Sequence, residues 1–250
     1  MSANTAEILR ELDNRFYERV APSFSQTREY PWQGWNRVYD ALALRGSAGR
    51  ALDVLDVACG NMRFERFAAE KCPHANIRFH AVDSCDELVV PCEGTEFEHR
   101  DIVSELLDDT NEGPLFGEAF YDAVLCFGFM HHVYSQKLRQ KLVWSLVQAV
   151  KPGGFAAISF WEFAQNEDHA KKAYATTRRA LCDLGIEGLE DGDFLLGWKD
   201  EPGVFRYCHS FTSAEVDQLL AGISHMASVE RYHADGKDGR SNEYALVRIV

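Results

Sequence analysis

The stretch Val54–Phe64, which reads VLDVACGNMRF, decides the fold. It begins inside an apolar run at 51–58, interrupted only by two aspartates, whose length and Leu/Val content favour a strand buried on both faces of a parallel sheet. Gly60 then supplies a turn at which the backbone can approach a ligand closely. From Met62 onward the apolar residues recur at helical spacing. A strand, a glycine turn and a helix in this order direct the free N–H groups of the helix toward a bound ligand.

An acidic residue follows the next predicted strand. Ile77–Val82 forms that strand, and Asp83 ends it roughly 20 residues after the glycine turn. A carboxylate at this place can accept hydrogen bonds from both ribose hydroxyls of a nucleoside cofactor. Gly60 alone would equally suit an ordinary tight turn. Together with Asp56 before it and Asp83 after it, Gly60 favours a nucleoside-binding site.

These residues resemble a known family. The segment Leu55–Asn61 is similar to the first motif of class I S-adenosylmethionine-dependent methyltransferases, although Ala58 and Met62 stand where that motif usually has glycine. A dinucleotide is disfavoured because the second and third glycines of a G-x-G-x-x-G pattern are missing. The resemblance implies S-adenosyl-L-methionine as the cofactor and S-adenosyl-L-homocysteine as its product. It also implies that Asp101, after the third predicted strand, approaches the adenine amino group.

The alternation of strands and helices predicts an α/β doubly wound sheet without any reference to a family. The resemblance adds a Rossmann-like seven-stranded sheet that ends in an antiparallel hairpin. We expect residues 1–45 to form an N-terminal helical cap and lid, and residues 46–250 to form the methyltransferase domain. An insertion at about 165–210 is expected on the substrate side.

Several local signals set element boundaries. Apolar residues at helical spacing predict a first helix that ends at Pro22, and the Lys-Pro-Gly-Gly turn at 151–154 is expected to precede the fifth strand, Phe155–Trp161. Thr212 or Ser213 is expected to cap a helix, helped by Glu215. Alternating residues near the C-terminus predict a closing hairpin, with strands at 226–232 and 243–249.

The stretch Ala21–Trp32 is dense in aromatic residues. It is either a strap that packs on the core or a lid over the cofactor, with Arg28 facing a carboxylate. The second interpretation is favoured by a resemblance to the tRNA wobble-uridine methyltransferases, which methylate a carboxymethyl group on uridine, and to their bacterial relatives. The resemblance lies in the pattern Tyr17-x-x-x-Ala21-Pro22-x-Phe24-Ser25-x-Thr27-Arg28, followed by Pro31-Trp32.

A histidine pair follows the fourth predicted strand, Tyr121–Phe129. His131 and His132 therefore fall at the edge where open α/β sheets bind their ligands, and the pair resembles the same subfamily. Arg206 lies in a block, Phe205–Phe211, that also resembles this subfamily. We expect Arg206 and Arg28 to grip a carboxylate acceptor, because paired guanidinium groups hold carboxylates well. For a hydroxyl or amine acceptor, one histidine would instead act as a base.

The predicted site contains two sets of residues, and no metal ligands are expected. The catalytic set is His131, His132, Arg28 and Arg206. The cofactor-binding set is Tyr17, Arg28, Trp32, Asp56, Ala58, Gly60, Asp83, Ser84, Asp101, Ile102 and Phe127.

Composition limits the partners. The net charge of −13 and the pI near 5.1 work against broad nonspecific binding of nucleic acid. Seven scattered cysteines without a C-x-x-C pair indicate thiols in a reducing compartment. No apolar segment reaches the roughly 20 residues that span a bilayer, and the N-terminus lacks the apolar core of a signal peptide. We therefore expect a cytoplasmic protein with no membrane partner.

Three functions remain open at this point. The leading hypothesis is methyl-ester formation on a modified tRNA uridine. The second is O- or N-methylation of a small molecule such as a carboxylate or a phenol, which the acidic charge favours. The third is a non-catalytic relative that binds a nucleoside or a partner protein. Eukaryotic members of the subfamily resembled work with a small zinc-containing partner, and the sequence does not indicate whether this chain needs an activating partner protein.

Overall fold

The computed structural model describes residues 3–28, 30–46, 50–108, 110, 112–199 and 201–250. Glu29, inside the aromatic-rich stretch, lies outside the described residues. Seven α-helices and nine strands are described. The helices are α1 (Ala3–Gln26), α2 (Trp35–Gly46), α3 (Arg63–Lys71), α4 (Ile102–Leu107), α5 (Gln136–Gln148), α6 (Glu167–Leu184) and α7 (Ser213–Ala221). The strands are β1 (Leu52–Val57), β2 (Ile77–Asp83), β3 (Thr95–His99), β4 (Tyr121–Cys126), β5 (Val150–Trp161), β6 (Asp193–Gly197), β7 (Phe205–His209), β8 (Ala227–Ala234) and β9 (Asn242–Ile249).

The seven-stranded sheet has the order β3-β2-β1-β4-β5-β9-β8. Strands β1 to β5 run parallel, whereas β9 is antiparallel to β5 and β8 is antiparallel to β9. The order turns back between β1 and β4, and the carboxyl ends of the parallel strands meet at one edge. This confirms the predicted doubly wound α/β fold with its terminal hairpin, and places the ligand edge where such folds bind.

Both faces of the sheet are covered by helices. On one face, α2 and α3 contribute a cluster rich in aromatic residues that includes Trp35, Phe64 and Phe67. On the other face, α5 and α7 pack leucines such as Leu142 and Leu219 against β4, β5 and β9. Because both faces are buried, the central strands read as nearly continuous apolar runs, which is why β1 could be recognised from its sequence.

The insertion at about 165–210 contains α6 and a separate two-stranded antiparallel sheet formed by β6 and β7. α6 lies on β6, and β7 lies against α1. Thr177 of α6 holds β6 through its hydroxyl, which accepts the Leu195 N–H at 3.0 Å. β7 thus carries Arg206 to a position next to the N-terminal helix. The division into a cap at 1–45 and a domain at 46–250 stays a prediction.

Several predicted boundaries are wrong. The fourth strand ends at Cys126 and not at Phe129, because the φ of 67° at Gly128 departs from the extended conformation. The hairpin strands are Ala227–Ala234 and Asn242–Ile249 and not 226–232 and 243–249.

α1 does not end at Pro22 but continues to Gln26. Proline removes one backbone donor, and this last turn is held instead by ring contacts of Phe24 with Tyr17 and Trp198.

The fifth strand begins at Val150, five positions before the predicted Phe155. The Lys-Pro-Gly-Gly segment is a bulge within this strand, because Tyr121 pairs with Val150 and Ala123 pairs with Phe155.

The predicted cap of the helix that follows β7 is confirmed. Thr212 and Glu215 form a complete capping box at the start of α7. All seven cysteines lie in described parts of the chain, and none takes part in a disulfide. Among the described helices, none is long and apolar enough to cross a membrane. The cytoplasmic location stays a prediction.

The segment that precedes α2 is fastened to the closing hairpin. The Gly34 N–H donates to Asp235 at 3.1 Å, and the Tyr232 hydroxyl donates to the Gly34 carbonyl at 2.8 Å. A Cβ atom at Gly34 would lie 2.3 Å from the ring of Tyr244, which is fully buried and donates its hydroxyl to Asp235. This close approach fixes the chain between Trp32 and Trp35.

We predict that Gly34→Ala lowers the free energy of unfolding by about 1–3 kcal/mol, because the added methyl group overpacks against the Tyr244 ring. Gly222→Ala is the matched control, since a Cβ there meets nothing within 4 Å and its φ of −63° suits alanine. The control should change stability by less than about 0.5 kcal/mol. Urea unfolding measures both, and equal stability of the two variants would contradict the prediction.

Candidate functional site

A cavity of about 350 Å³ lies at the carboxyl edge of the sheet. Loops after β1, β2, β3 and β4 form its floor, and α1 with the following segment covers it. A volume near this size is common for small-molecule sites. Every residue of the two predicted sets lines this cavity: Tyr17, Arg28, Trp32, Asp56, Ala58, Gly60, Asp83, Ser84, Asp101, Ile102, Phe127, His131, His132 and Arg206. Their individual roles stay predictions.

The turn after β1 has an unusual backbone. Ala58, Gly60 and Met62 adopt φ angles of 59°, 54° and 53°, all in the left-handed region. The two positions where the resembled motif has glycine therefore keep the conformation that glycine favours. The Met62 side chain is buried in a small cluster with Cys59 and Ala81, and it does not line the cavity. The turn thus leaves room for a ligand in spite of both substitutions.

Asp83 fastens this turn to the loop after β2. One carboxylate oxygen accepts the Gly60 N–H at 2.8 Å, and the other accepts the Cys85 N–H at 2.9 Å. Burial raises the pKa of Asp83, although these backbone donors oppose the shift. Each oxygen keeps a further lone pair, so the carboxylate can still accept ribose hydroxyls as predicted.

Asp101 caps α4 and holds α1 at the same time. One of its oxygens accepts the Ser104 N–H at 2.9 Å, and the other pairs with Arg10 at 2.8 Å and accepts from Asn14 at 3.3 Å. The oxygen that accepts from Ser104 keeps a free lone pair, so the predicted contact with an adenine amino group would use that oxygen. Sequence reasoning missed Arg10, Asp13 and Asn14, although with Tyr17 they recur at helical spacing on one face of α1.

Asp56 has a buried carboxyl neighbour. Asp56 is 3% exposed and lines the cavity, and Glu65, in the first turn of α3, is 1% exposed. Neither carboxyl oxygen of Glu65 has a hydrogen-bond partner within the described residues. Burial, and then Glu65, raise the pKa of Asp56 well above its ordinary value, and burial also raises the pKa of Glu65. The pair consequently holds protons that exposed carboxyl groups would lose.

His132 has partners for both ring nitrogens. Its Nδ1 lies 2.9 Å from the Tyr207 carbonyl oxygen, which can only accept, so Nδ1 carries the proton. Nε2 then accepts the Tyr17 hydroxyl at 2.8 Å, and the Tyr17 oxygen accepts from Arg206 at 2.7 Å. Asp13 lies 3.3 Å from Nδ1 and also accepts the Tyr207 N–H at 2.6 Å. Arg206, Tyr17 and His132 therefore form one connected chain of hydrogen bonds.

Among the residues that the structure describes, His131 has a ring nitrogen that is free to bind a ligand, whereas both ring nitrogens of His132 have partners. It is buried, its ring centroid lies 5.0 Å from that of Trp161, and its Nδ1 has no partner among the described residues. Burial lowers the pKa of His131 well below its ordinary value, and the positive charge of Arg206 lowers it further. His131 therefore faces the cavity as a neutral imidazole.

Arg28 and Arg206 bring positive charge into the cavity without a counter-charge. Within the described chain, neither guanidinium forms a salt bridge with a carboxylate, and the Nε of Arg206 has no partner. Arg206 is 5% exposed and lies among aromatic rings, and Arg28 stacks 3.7 Å above the Phe24 ring. Burial, and then Arg206, lower the pKa of Arg28 to about 10, so both groups stay charged at neutral pH. Two unpaired cations in one cavity favour an anionic ligand.

A third arginine was missed by the sequence reasoning. Arg63, the first residue of α3, lines the cavity and donates to the Tyr30 carbonyl at 2.9 Å. Its guanidinium lies 5.1 Å from the Trp32 ring and 4.9 Å from the Trp35 ring. Burial, and then Arg28, lower its pKa to about 10. Arg63 begins the helix directly after the Gly60 turn, and this position could have identified it from the sequence.

One group near these arginines has the residue types of a metal site. His131, His132 and Cys208 bring potential ligand atoms within 4.8 Å of one another. Burial raises the pKa of the Cys208 thiol to about 12, and Arg206 faces the same group, so a cation would meet a protonated thiol and a like charge. The arrangement fits an anion better than a metal ion.

Comparisons with known proteins agree with this geometry. Residues 54–154 match a family described as methyltransferase domain. A tRNA (carboxymethyluridine(34)-5-O)-methyltransferase from Arabidopsis thaliana is 30% identical over 165 residues, which cover 66% of this chain and 36% of the relative. The tRNA (carboxymethyluridine(34)-5-O)-methyltransferase alkbh8 of Xenopus tropicalis is 28% identical over an alignment that covers 94% of this chain and 41% of the relative. The chain thus spans about two fifths of the length of these curated relatives.

A solved structure shares the fold across nearly the whole chain. It is a complex between the Haloferax volcanii Trm112 methyltransferase activator and a putative methyltransferase. The superposition has a TM-score of 0.55 at 13% identity and covers 94% of this chain and 96% of the matched chain. At this identity the likeness concerns the fold alone.

We predict that Glu65→Gln reduces the loss of stability that wild type shows as the pH rises. Carboxyl groups with a raised pKa stabilise the fold below their unfolded values, here 4.5 for Glu65 and 3.8 for Asp56, and this contribution is lost as the pH rises through the folded values. The glutamine side chain cannot ionise. The unfolding free energy of the Glu65→Gln variant should therefore change less between pH 5 and pH 8 than that of wild type, by about 2 kcal/mol.

Urea unfolding at several pH values measures this difference. Glu70→Gln, an exposed position on the same helix, is the control and should follow wild type. Parallel pH profiles for wild type and Glu65→Gln would disprove the prediction.

Proposed function

The chain belongs to the class I S-adenosylmethionine-dependent methyltransferases, and from that premise we propose that it forms a methyl ester on a carboxylate of modified tRNA uridine. The observation that carries the carboxylate is the pair of unpaired guanidinium groups, Arg28 and Arg206. A substrate carboxylate would supply the missing counter-charge. Arg206 lies deeper, beside His131 and Trp161, and we assign the acceptor to it.

The residues of the cavity fit the cofactor. The Gly60 turn leaves open space where a Cβ would project, and Asp83 offers lone pairs beside it. Phe127 and Ile102 provide apolar walls for a planar base. Arg28 and Arg63 face this side as well and can take the carboxylate of the amino-acid end. Bound S-adenosylmethionine supplies a methyl group on a positively charged sulfur, and S-adenosylhomocysteine is the product.

The contribution of the protein is positioning. An ionised carboxylate needs no base, because its oxygen forms the new bond to the methyl carbon while the bond from that carbon to sulfur breaks. Arg206 would hold this carboxylate. The Tyr17 hydroxyl, which accepts from Arg206 and donates to His132, would hold Arg206 in place. His131, as a neutral imidazole, can donate one hydrogen bond to the acceptor.

The uridine part of the proposal rests on similarity. Two relatives named for methylation of carboxymethyluridine 34 in tRNA align with 66% and 94% of this chain. The alignments cover about two fifths of the length of those relatives, so the activity of the whole relatives is carried over to this chain only as a proposal. We also propose a small activating partner protein, since a neighbour of the same fold was solved with the Trm112 activator.

The net charge of −13 favours a second candidate, a small-molecule carboxylate or phenol. A small acceptor needs no basic surface for phosphates. The same Arg206 would hold a small carboxylate, whereas a phenol would need a group in the cavity that takes its proton. The third alternative is a non-catalytic relative that binds a nucleoside or a partner protein, and failure to bind S-adenosylhomocysteine would support it.

The first experiment follows labelled methyl from S-adenosylmethionine into tRNA from cells that lack this protein, with and without added cell extract as a source of an activator. We expect label that mild alkali removes, because a methyl ester hydrolyses under conditions that N-methyl groups survive. Alkali-stable label would refute the ester. Absence of label in tRNA, with label transferred to small carboxylates, would establish the second candidate.

We predict that Arg206→Gln lowers transfer roughly 100-fold while the dissociation constant for S-adenosylhomocysteine changes less than about threefold. Arg206→Lys keeps the charge but loses the planar two-pronged donor, so its loss should be intermediate. Arg37→Gln, at an exposed arginine of α2, is the control. Cofactor binding by calorimetry shows that each variant is folded, and full turnover by Arg206→Gln would sink the carboxylate assignment.

A further inference from the structure

A basic surface outside the cavity lies on α6. Residues 169–182 contain four basic residues and no acidic one, in a chain with 26 basic and 39 acidic residues. The acidic residues of this helix are confined to its ends, at Glu167, Asp168 and Asp183. This helix therefore carries a local excess of positive charge in an acidic chain.

These basic side chains point outward. The face of α6 that packs on the insertion consists of Ala173, Thr177 and Ala180, whereas the four basic side chains are exposed: Lys171, Lys172, Arg178 and Arg179. Lys171 lies 3.8 Å from Glu167, and both side chains are largely exposed to solvent. The other three form no ion pair within the described parts of the chain. Surface cations without partners remain able to bind phosphates.

An exposed aromatic residue lies on the same helix. Tyr174 is 66% exposed although its ring contacts Phe194 at 5.0 Å, so this contact props the ring at the surface. An aromatic ring beside basic side chains is the combination that binds single-stranded nucleic acid, because bases stack on the ring while phosphates meet the cations. Neither feature alone would distinguish this surface from an ordinary solvated helix.

A continuous row of rings joins this surface to the cavity. Phe194 lies 5.3 Å from Phe163, which lies 4.4 Å from Trp161, and Trp161 lines the cavity at 5.0 Å from His131. Three ring contacts therefore separate Tyr174 from Trp161 at the wall of the cavity. This separation suits one RNA molecule that places a base in the cavity and its neighbouring phosphates on α6.

We infer that the outer face of α6, with Lys172, Arg178, Arg179 and Tyr174, is the docking surface for the RNA that carries the acceptor nucleotide. The inference rests on the proposed function and explains how an acidic chain can bind an acidic substrate. The RNA contacts one basic helix beside the cavity, and the excess negative charge lies elsewhere. This negative charge disfavours the binding of RNA at other places on the chain.

The test compares two double variants with the same change in net charge. The first double variant, Lys172→Glu with Arg179→Glu, alters α6. The control double variant, Arg37→Glu with Lys71→Glu, alters exposed positions of α2 and α3, the helices that cover one face of the sheet. Binding of fluorescently labelled tRNA to the full chain is measured by anisotropy between 50 and 200 mM salt. We expect the α6 variant to bind at least about tenfold more weakly, with a salt slope lower by about 2, and the control to change less than about threefold.

Base stacking on Tyr174 and methyl transfer are tested by separate measurements. Tyr174→Ala should weaken tRNA binding about fivefold, and Tyr174→Phe should leave it unchanged. Methyl transfer to free 5-carboxymethyluridine should be the same for wild type and the α6 variant, because the nucleoside fills only the cavity.

The outcomes separate the inference from the proposed function. Equal tRNA binding by the α6 variant and wild type, or an equal loss in the control, would overturn the docking surface. The absence of methyl transfer to any carboxylate by wild type would instead refute the proposed function, while the binding comparison would still decide the role of α6. Binding of an acidic protein but not of tRNA at α6 would likewise refute the RNA assignment.

Discussion

Arg206 is a buried cation without a carboxylate partner in the described chain, and the arrangement of the cavity depends on it. Such a charge is costly to remove from water, so the surrounding structure must stabilise it. Tyr17 accepts one of its N–H groups, and the faces of Phe16 and Phe24 lie 5.1 and 5.5 Å from its guanidinium carbon. These contacts stabilise the cation only in part, and its Nε still lacks an acceptor. The remaining stabilisation is what an anionic ligand would contribute on binding.

Asp13 connects the elements that hold this cation in place. Its carboxylate accepts the Tyr207 N–H of β7 and the Tyr134 hydroxyl, and it lies 3.3 Å from His132. α1, β7 and the turn after β4 therefore meet at one buried group. Because Tyr17 and Asp13 are on the same helix, a movement of α1 would disturb the Tyr17 hydroxyl and Arg206 together. The helix that covers the cavity also sets the orientation of its cation.

The parts of this site that could be predicted from the sequence depend on local signals. Gly60 follows β1 and Asp83 ends β2. Because these adjacent strands run parallel, the two residues meet at one edge of the sheet. The inward face of α1 could not be read in the same way. Arg10 meets Asp101 across 91 positions and Asp13 meets Tyr207 across 194, and nothing near either residue signals the partner. The predicted end of α1 at Pro22 was wrong for a related reason. The contact of Phe24 with Trp198, which is far away in the sequence, outweighs the local helix-breaking effect of proline.

The protonation states in the cavity bear on the type of acceptor. A hydroxyl or phenol acceptor needs a group that takes its proton in the transition state, and such a base works best when its pKa lies near the operating pH. His132 has its Nε2 occupied by Tyr17, and the pKa of His131 lies well below its ordinary value. Tyr17 itself has its pKa raised to about 12 by burial, so it stays protonated. Among the described residues beside Arg206, His131 is thus only a weak base, whereas the Arg206 guanidinium is ready to hold an anion. A carboxylate, which arrives already deprotonated, is the acceptor for which this cavity needs no further group.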